Sequence, residues 1–208
     1  MTTVHQGRDV HRRLGEFGLE IDDIHQALAY GHAEAAQCTD LDHVSYRGMT
    51  LYSRTGRRLH EILIPRGWEA QDHNGQMRII NPSGFTLIHG GGDASTADPS
   101  PQAVPRHANK KGPVTGEAVR ENSQPPLFEH LFPEEKSRMA GLNWFLLYRN
   151  LTGRMLSELS FPEFASDGTM IAYRERIILP ELDLDNDTVI PHDDDLDDRH
   201  DFEVQRRA

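Results

Sequence analysis

Apolar residues first recur at helical spacing in Ile21, Ile24 and Leu28, followed by the small pair Ala35 and Ala36. Asp22 and Asp23 bring N-terminal capping chemistry to the same segment. This spacing predicts a helix over about 22–38, preceded by a shorter one near 9–17. Tyr52, Leu59, Ile62 and Leu63 mark one face of a third helix over about 46–64, which Pro65 and Gly67 bring to an end. The helical part therefore covers 9–65.

After Gly67 the period shortens. The stretches GWEAQ, MRIIN and FTLIH read as strands within 67–89, separated by Asn74-Gly75 and by Asn81-Pro82-Ser83-Gly84. The first spacer is a strong two-residue hairpin signal and the second is a turn composition. Residues 90–126 are rich in Gly, Pro, Ala, Ser, Thr and Asn. They are expected to form a long, mostly irregular crossing with few groups able to pack, and one helix from Thr115 to Asn122. A second apolar block follows as LNWFLLYR, MLSELSFP and TMIAYRERIILPEL, with Tyr148 and Phe164 placed at strand ends. In its last strand Ile171, Tyr173, Ile177 and Leu179 alternate with Arg174, Arg176 and Ile178, which predicts one buried face. The fold class expected is α+β: N-terminal helices, an antiparallel meander over 67–89, the crossing, a second antiparallel meander over 142–182, and an acidic C-terminal tail. Residues 1–182 would form one domain and 183–208 a tail disordered in isolation. The pattern leaves open whether the two meanders share a sheet.

Composition adds compartment and charge. No run approaches the roughly 18 apolar residues of a membrane span, no apolar leader opens the chain, and Cys38 is the single cysteine, so a soluble, cytoplasmic protein is expected. The net charge is −11, yet from Leu179 to Ala208 eleven acids stand against three arginines, leaving the rest of the chain near neutrality. Such a surface disfavours duplex binding over its whole area, because affinity for phosphate comes from Lys and Arg.

Candidate chemistry begins with His89-Gly90-Gly91-Gly92, which follows a strand as an esterase oxyanion loop does. An oxyanion hole serves a nucleophile, and no serine lies in Gly-x-Ser-x-Gly. The glycines lead to no lysine and no obvious long helix, so phosphate cradling fails as well. They read as a flexible exit from an edge strand, with His89 near the sheet edge. His25 and His32 sit about 10 Å apart along one helix, too far to share an ion unaided. Cys38, His43 and His32 have loose spacing better suited to capping and turns. A restriction-type nuclease core also begins with a helix and three strands, but it needs an Asp and a Glu-x-Lys on adjacent strands. FTLIH supplies neither, and Glu158, Glu163 and Glu175 are accounted for by cross-strand pairing with arginines on a solvated face. No catalytic residue, metal or cofactor is assigned.

Two segments invite partners. Phe128, Leu131 and Phe132 form an apolar cluster between prolines, and Asp193, Asp194, Asp195, Asp197 and Asp198 concentrate the negative charge of the tail. These are the expected contacts of a non-enzymatic interaction or regulatory protein that binds another protein or macromolecular complex. The alternative is a protein that binds nucleic acid, or processes it with Mg²⁺. It would use Arg54, Arg57 and Arg58 with Arg106, Lys110 and Lys111, and Glu158 and Glu175 as metal carboxylates.

Overall fold

The computed structural model describes residues 2–108, 113–123, 142–166 and 169–185. Among these residues, four helices, α1 (Arg8–Gly15), α2 (Ile21–Ala36), α3 (Tyr46–Leu63) and α4 (Pro113–Ser123), accompany one mixed sheet of eight strands. The strands are β1 (Thr3–His5), β2 (Glu69–His73), β3 (Gln76–Ile80), β4 (Thr86–Gly91), β5 (Asn143–Leu151), β6 (Arg154–Ser166), β7 (Thr169–Ile178) and β8 (Leu182–Asp183). The order across the sheet is β1-β7-β6-β5-β4-β3-β2, and β8 pairs with the start of β6.

Local chemistry explains most element ends. The N-cap of α2 is Glu20, not an aspartate: Asp23 sits at the third helical position, accepts the Glu20 N–H at 2.9 Å and receives both arms of the Arg66 fork at 2.7 and 2.8 Å. Asn74 and Gly75 both adopt positive φ and join β2 to β3 as a two-residue turn. Gly31 of α2 lies directly against Thr55 of α3, which lets these two helices approach closely.

The two sets of strands are not separate. β4 and β5 pair in parallel, from Thr86↔Asn143 to Gly91↔Tyr148, and fuse both sets into one sheet. β5 is the reason: Trp144, Phe145, Leu146, Leu147 and Tyr148 are all buried, so this strand needs cover on both faces and belongs in the interior. Trp144, Leu146 and Tyr148 pack with Leu14, Ile24, Leu28, Leu59 and Leu63 of the first three helices. Phe145 and Leu147 pack on the other face with Ile88, Ala118 and Val119. Tyr148 thus lies within its strand rather than at its end, as the backbone of Phe164 does in β6.

β7 departs from simple alternation. Phe161 faces Glu175 whereas Pro162 faces Tyr173, so Arg174 is the extra residue of a β-bulge beside a proline that has no N–H to donate. The bulge shifts the phase, and Arg176 becomes fully buried on the same face as Tyr173; a second register shift, at Phe164/Ala165, leaves Ile171 without a partner and exposed.

Arg176 meets Glu158 there, at 3.0 and 2.5 Å, and both side chains are 0% exposed. Of the three glutamates expected on a solvated Glu–Arg face, Glu163 is the one in an exposed pair, with Arg174. Glu158 also accepts the Ser160 hydroxyl and, at 2.7 Å, the N–H of Ala97, while Arg176 donates to the Ser100 carbonyl at 3.2 Å. The Tyr173 hydroxyl donates to the Pro105 carbonyl. The first part of the crossing is therefore packed against the sheet, because Glu158, Arg176 and Tyr173 bind its backbone.

Two stability predictions follow from burial. Glu158→Ala leaves a buried guanidinium unpaired and should lower the urea-unfolding free energy by about 3–5 kcal/mol, whereas Glu158→Leu with Arg176→Met should recover most of that loss. Burial is also the main influence holding His25 and His60 below the ordinary imidazole value, against the carbonyl of Pro180 and the backbone of Arg78. Both resist protonation in the fold and protonate more readily when unfolded. The unfolded chain thus binds more protons below about pH 6.5, and stability should fall from about pH 7.5 to 5.5, less steeply in His25→Gln with His60→Gln.

Candidate functional site

His89 lies in an interior strand, 5% exposed, not at the sheet edge. Its ring stacks on Tyr52 of α3 at 4.4 Å between centroids and faces Tyr148 of β5 at 6.3 Å. Gly56 makes room for it. A Cβ at that position would come within 2.6 Å of the His89 Nε2 and 2.7 Å of the Met77 Cε. The Tyr52 hydroxyl accepts the Met77 N–H at 3.1 Å, which fixes the outer ring of the stack. Burial raises the Tyr148 phenol well above its usual range, and Tyr52 adds to the shift, so Tyr148 is neutral at physiological pH.

The glycines after His89 continue the sheet. Gly90 and Gly91 pair with Leu147 and Tyr148, the Gly92 N–H donates to the Tyr148 carbonyl at 2.7 Å, and the Ala108 N–H donates to Gly91 at 2.9 Å. Gly92 is also bridged to His107. Backbone amides committed in this way form no oxyanion hole.

Where β4 and β5 end, a cavity of about 690 Å³ opens. Val44, Ser45, Gly48, Met49, Leu51 and Tyr52 line it from α3 and its approach. Asn74, Gly75 and Gln76 come from the hairpin, His89, Gly91 and Tyr148 from the sheet, and His107, Val114 and Thr115 from the crossing and α4. Gln76 is oriented from behind: Arg78 Nε donates to its carbonyl oxygen at 2.9 Å and its amide reaches the Thr115 hydroxyl at 3.4 Å. Desolvation lowers the Arg78 pKa, with Glu117 and Glu121 acting the other way.

The mouth of the cavity continues into an apolar ridge. Leu41, Val44, Tyr46 and Met49 are 98, 93, 51 and 63% exposed. Asp40 and Asp42 lie on the same exposed stretch.

The anticipated site residues do not meet here. Phe128, Leu131, Phe132, Asp193, Asp194, Asp195, Asp197, Asp198, Lys110 and Lys111 lie outside the described residues. Arg54 pairs with Glu34 at 3.3 Å, and Arg57 and Arg58 share Glu61 at 2.7 and 3.2 Å. Arg106 is exposed, and its carbonyl accepts the Asp93 N–H at 2.8 Å. His25, His32, Cys38 and His43 are dispersed: His25 bonds Pro180, His32 bonds Asn150, Cys38 contacts Thr50 and His43 contacts Ser45. Glu175 is taken by Arg13 and His5. No group of three or more His, Cys, Asp or Glu side chains placed to hold a metal ion occurs among the described residues.

Sequence spacing missed Tyr52, Gln76, Tyr148 and the 41–49 ridge. The ridge carried one signal, four large apolar residues in nine positions without helical or strand period. Compared with protein-family models, curated proteins and solved structures, the chain matches none.

Gly56→Ala tests the stack. The methyl group meets His89 and the end of Met77, and the overpacking should cost about 1–3 kcal/mol in urea unfolding and change the near-ultraviolet circular dichroism of the tyrosines. An unchanged spectrum and stability would mean that His89 is not held as described.

Proposed function

We propose that the protein is a non-enzymatic interaction protein that docks a partner protein on the 41–49 ridge. The observation that carries this reading is the clustering of Leu41, Val44, Tyr46 and Met49 at high exposure. Single exposed apolar residues are ordinary on protein surfaces, whereas a contiguous group beside a cavity is the usual mark of a contact surface. Asp40 and Asp42 on the ridge favour a partner segment with apolar anchors flanked by Lys or Arg. The same charges disfavour the acidic tail as the ridge's own cover; Asp193–Asp195, Asp197 and Asp198 would instead suit a basic surface of the partner.

The nucleic-acid alternative has less support. A phosphate approaching Arg54, Arg57 or Arg58 competes with Glu34 or Glu61 for each guanidinium.

The test compares the wild-type chain with Leu41→Asp and Val44→Asp, substitutions at surface positions that should leave the fold intact. A protein captured by the wild type, then purified and titrated, should bind the double variant at least about tenfold more weakly, a loss of about 1.4 kcal/mol. Equal binding by that variant would overturn the ridge. Low-salt binding of DNA or RNA that weakens steeply between about 50 and 200 mM salt would favour the alternative instead.

A further inference from the structure

The cavity below the ridge has its own chemistry. Among the described residues, no Asp, Glu, Lys or Arg lines it. An ion placed against these residues would give up hydration without meeting a fixed countercharge from them, so this lining favours an uncharged occupant. About 690 Å³ lies within the range of small-molecule sites.

The walls specify more than neutrality. Tyr52, His89 and Tyr148 line one side as rings stacked on one another, with His89 and Tyr148 buried, which favours a planar, polarisable partner by edge contacts. Asn74, Gln76, Thr115 and Ser45 are distributed around the same space. An amide offers a donor and an acceptor side by side, the pattern found on the edge of a heteroaromatic ring carrying carbonyl and amino groups. Preorganisation is visible in two places: Arg78 and Thr115 hold Gln76, and the Met77 N–H holds the Tyr52 hydroxyl. Glycines keep the volume open, since a Cβ added at Gly48 or Gly91 would meet no atom within 4 Å.

From these observations we infer that the cavity is a binding site for an uncharged planar heteroaromatic molecule of nucleoside size. The site adjoins the docking ridge: Val44 and Met49 belong to both, whereas Leu41 and Tyr46 do not line the cavity.

Isothermal titration calorimetry of the full chain provides the test, with adenosine, guanosine, cytidine and uridine as probes. Adenosine monophosphate serves as the anionic counterpart, and cyclohexanol as a neutral, non-aromatic control. At least one nucleoside should bind with a Kd at or below about 1 mM, and at least about tenfold more tightly than the monophosphate or cyclohexanol. Gly91→Leu and Gly48→Leu fill the space from opposite walls. Each should weaken binding at least about tenfold while leaving the thermal midpoint close to that of the wild type, the second variant standing in if the first fails to fold. Leu41→Asp should leave nucleoside affinity unchanged. No binding by any nucleoside, tighter binding of the monophosphate, equal binding of cyclohexanol, or full binding by both occluded variants would each overturn the assignment.

Discussion

The arrangement depends most on one buried ion pair, Glu158 with Arg176. Two charges withdrawn from water are worth keeping only where geometry and additional hydrogen bonds offset the desolvation cost. Here the additional bonds go to Ser160 within the sheet and to Ala97 and Ser100 in the crossing. The pair therefore does more than neutralise itself. It ties a Gly- and Pro-rich segment with little apolar surface of its own to β6 and β7. That segment leads to His107 and, beyond residues 109–112, to Val114 and Thr115, which line the cavity.

Short-range features were legible in the sequence because short-range chemistry makes them. Helices α2 and α3 fall where the periodicity placed them, and Asn74-Gly75 forms its turn because both residues tolerate positive φ. The joining of the strands was not legible in the same way. Parallel pairing of β4 with β5 links segments more than fifty residues apart and leaves no turn signature. Its trace was the unbroken run Trp144–Tyr148, which cannot alternate between core and solvent. Arg176 was misplaced for a related reason: counting alternate residues along β7 assumes a regular strand, and the bulge at Arg174 reverses the phase before Arg176 is reached.

The site was the least legible part. The three consecutive glycines Gly90–Gly92 carry β4 onward beside β5 and leave the cavity unfilled at Gly91. His89 acquires its surroundings from α3 and β5, and no spacing rule connects Tyr52 to Tyr148 across that distance. The arginines considered for phosphate contact lie on α3 beside glutamates that a linear reading does not place next to them.

Residues 92–108 of the crossing form a fixed wall of the molecule, tied to the sheet by Glu158 and Arg176, and amide hydrogen exchange on the wild-type chain measures this directly. The amides of Gly92, Asp93, Ala97 and Ala108, each donated to a defined acceptor, should be protected to an extent approaching those of β5 and β6. Exchange of these amides at the rate of an open chain, with β5 and β6 protected, would contradict it.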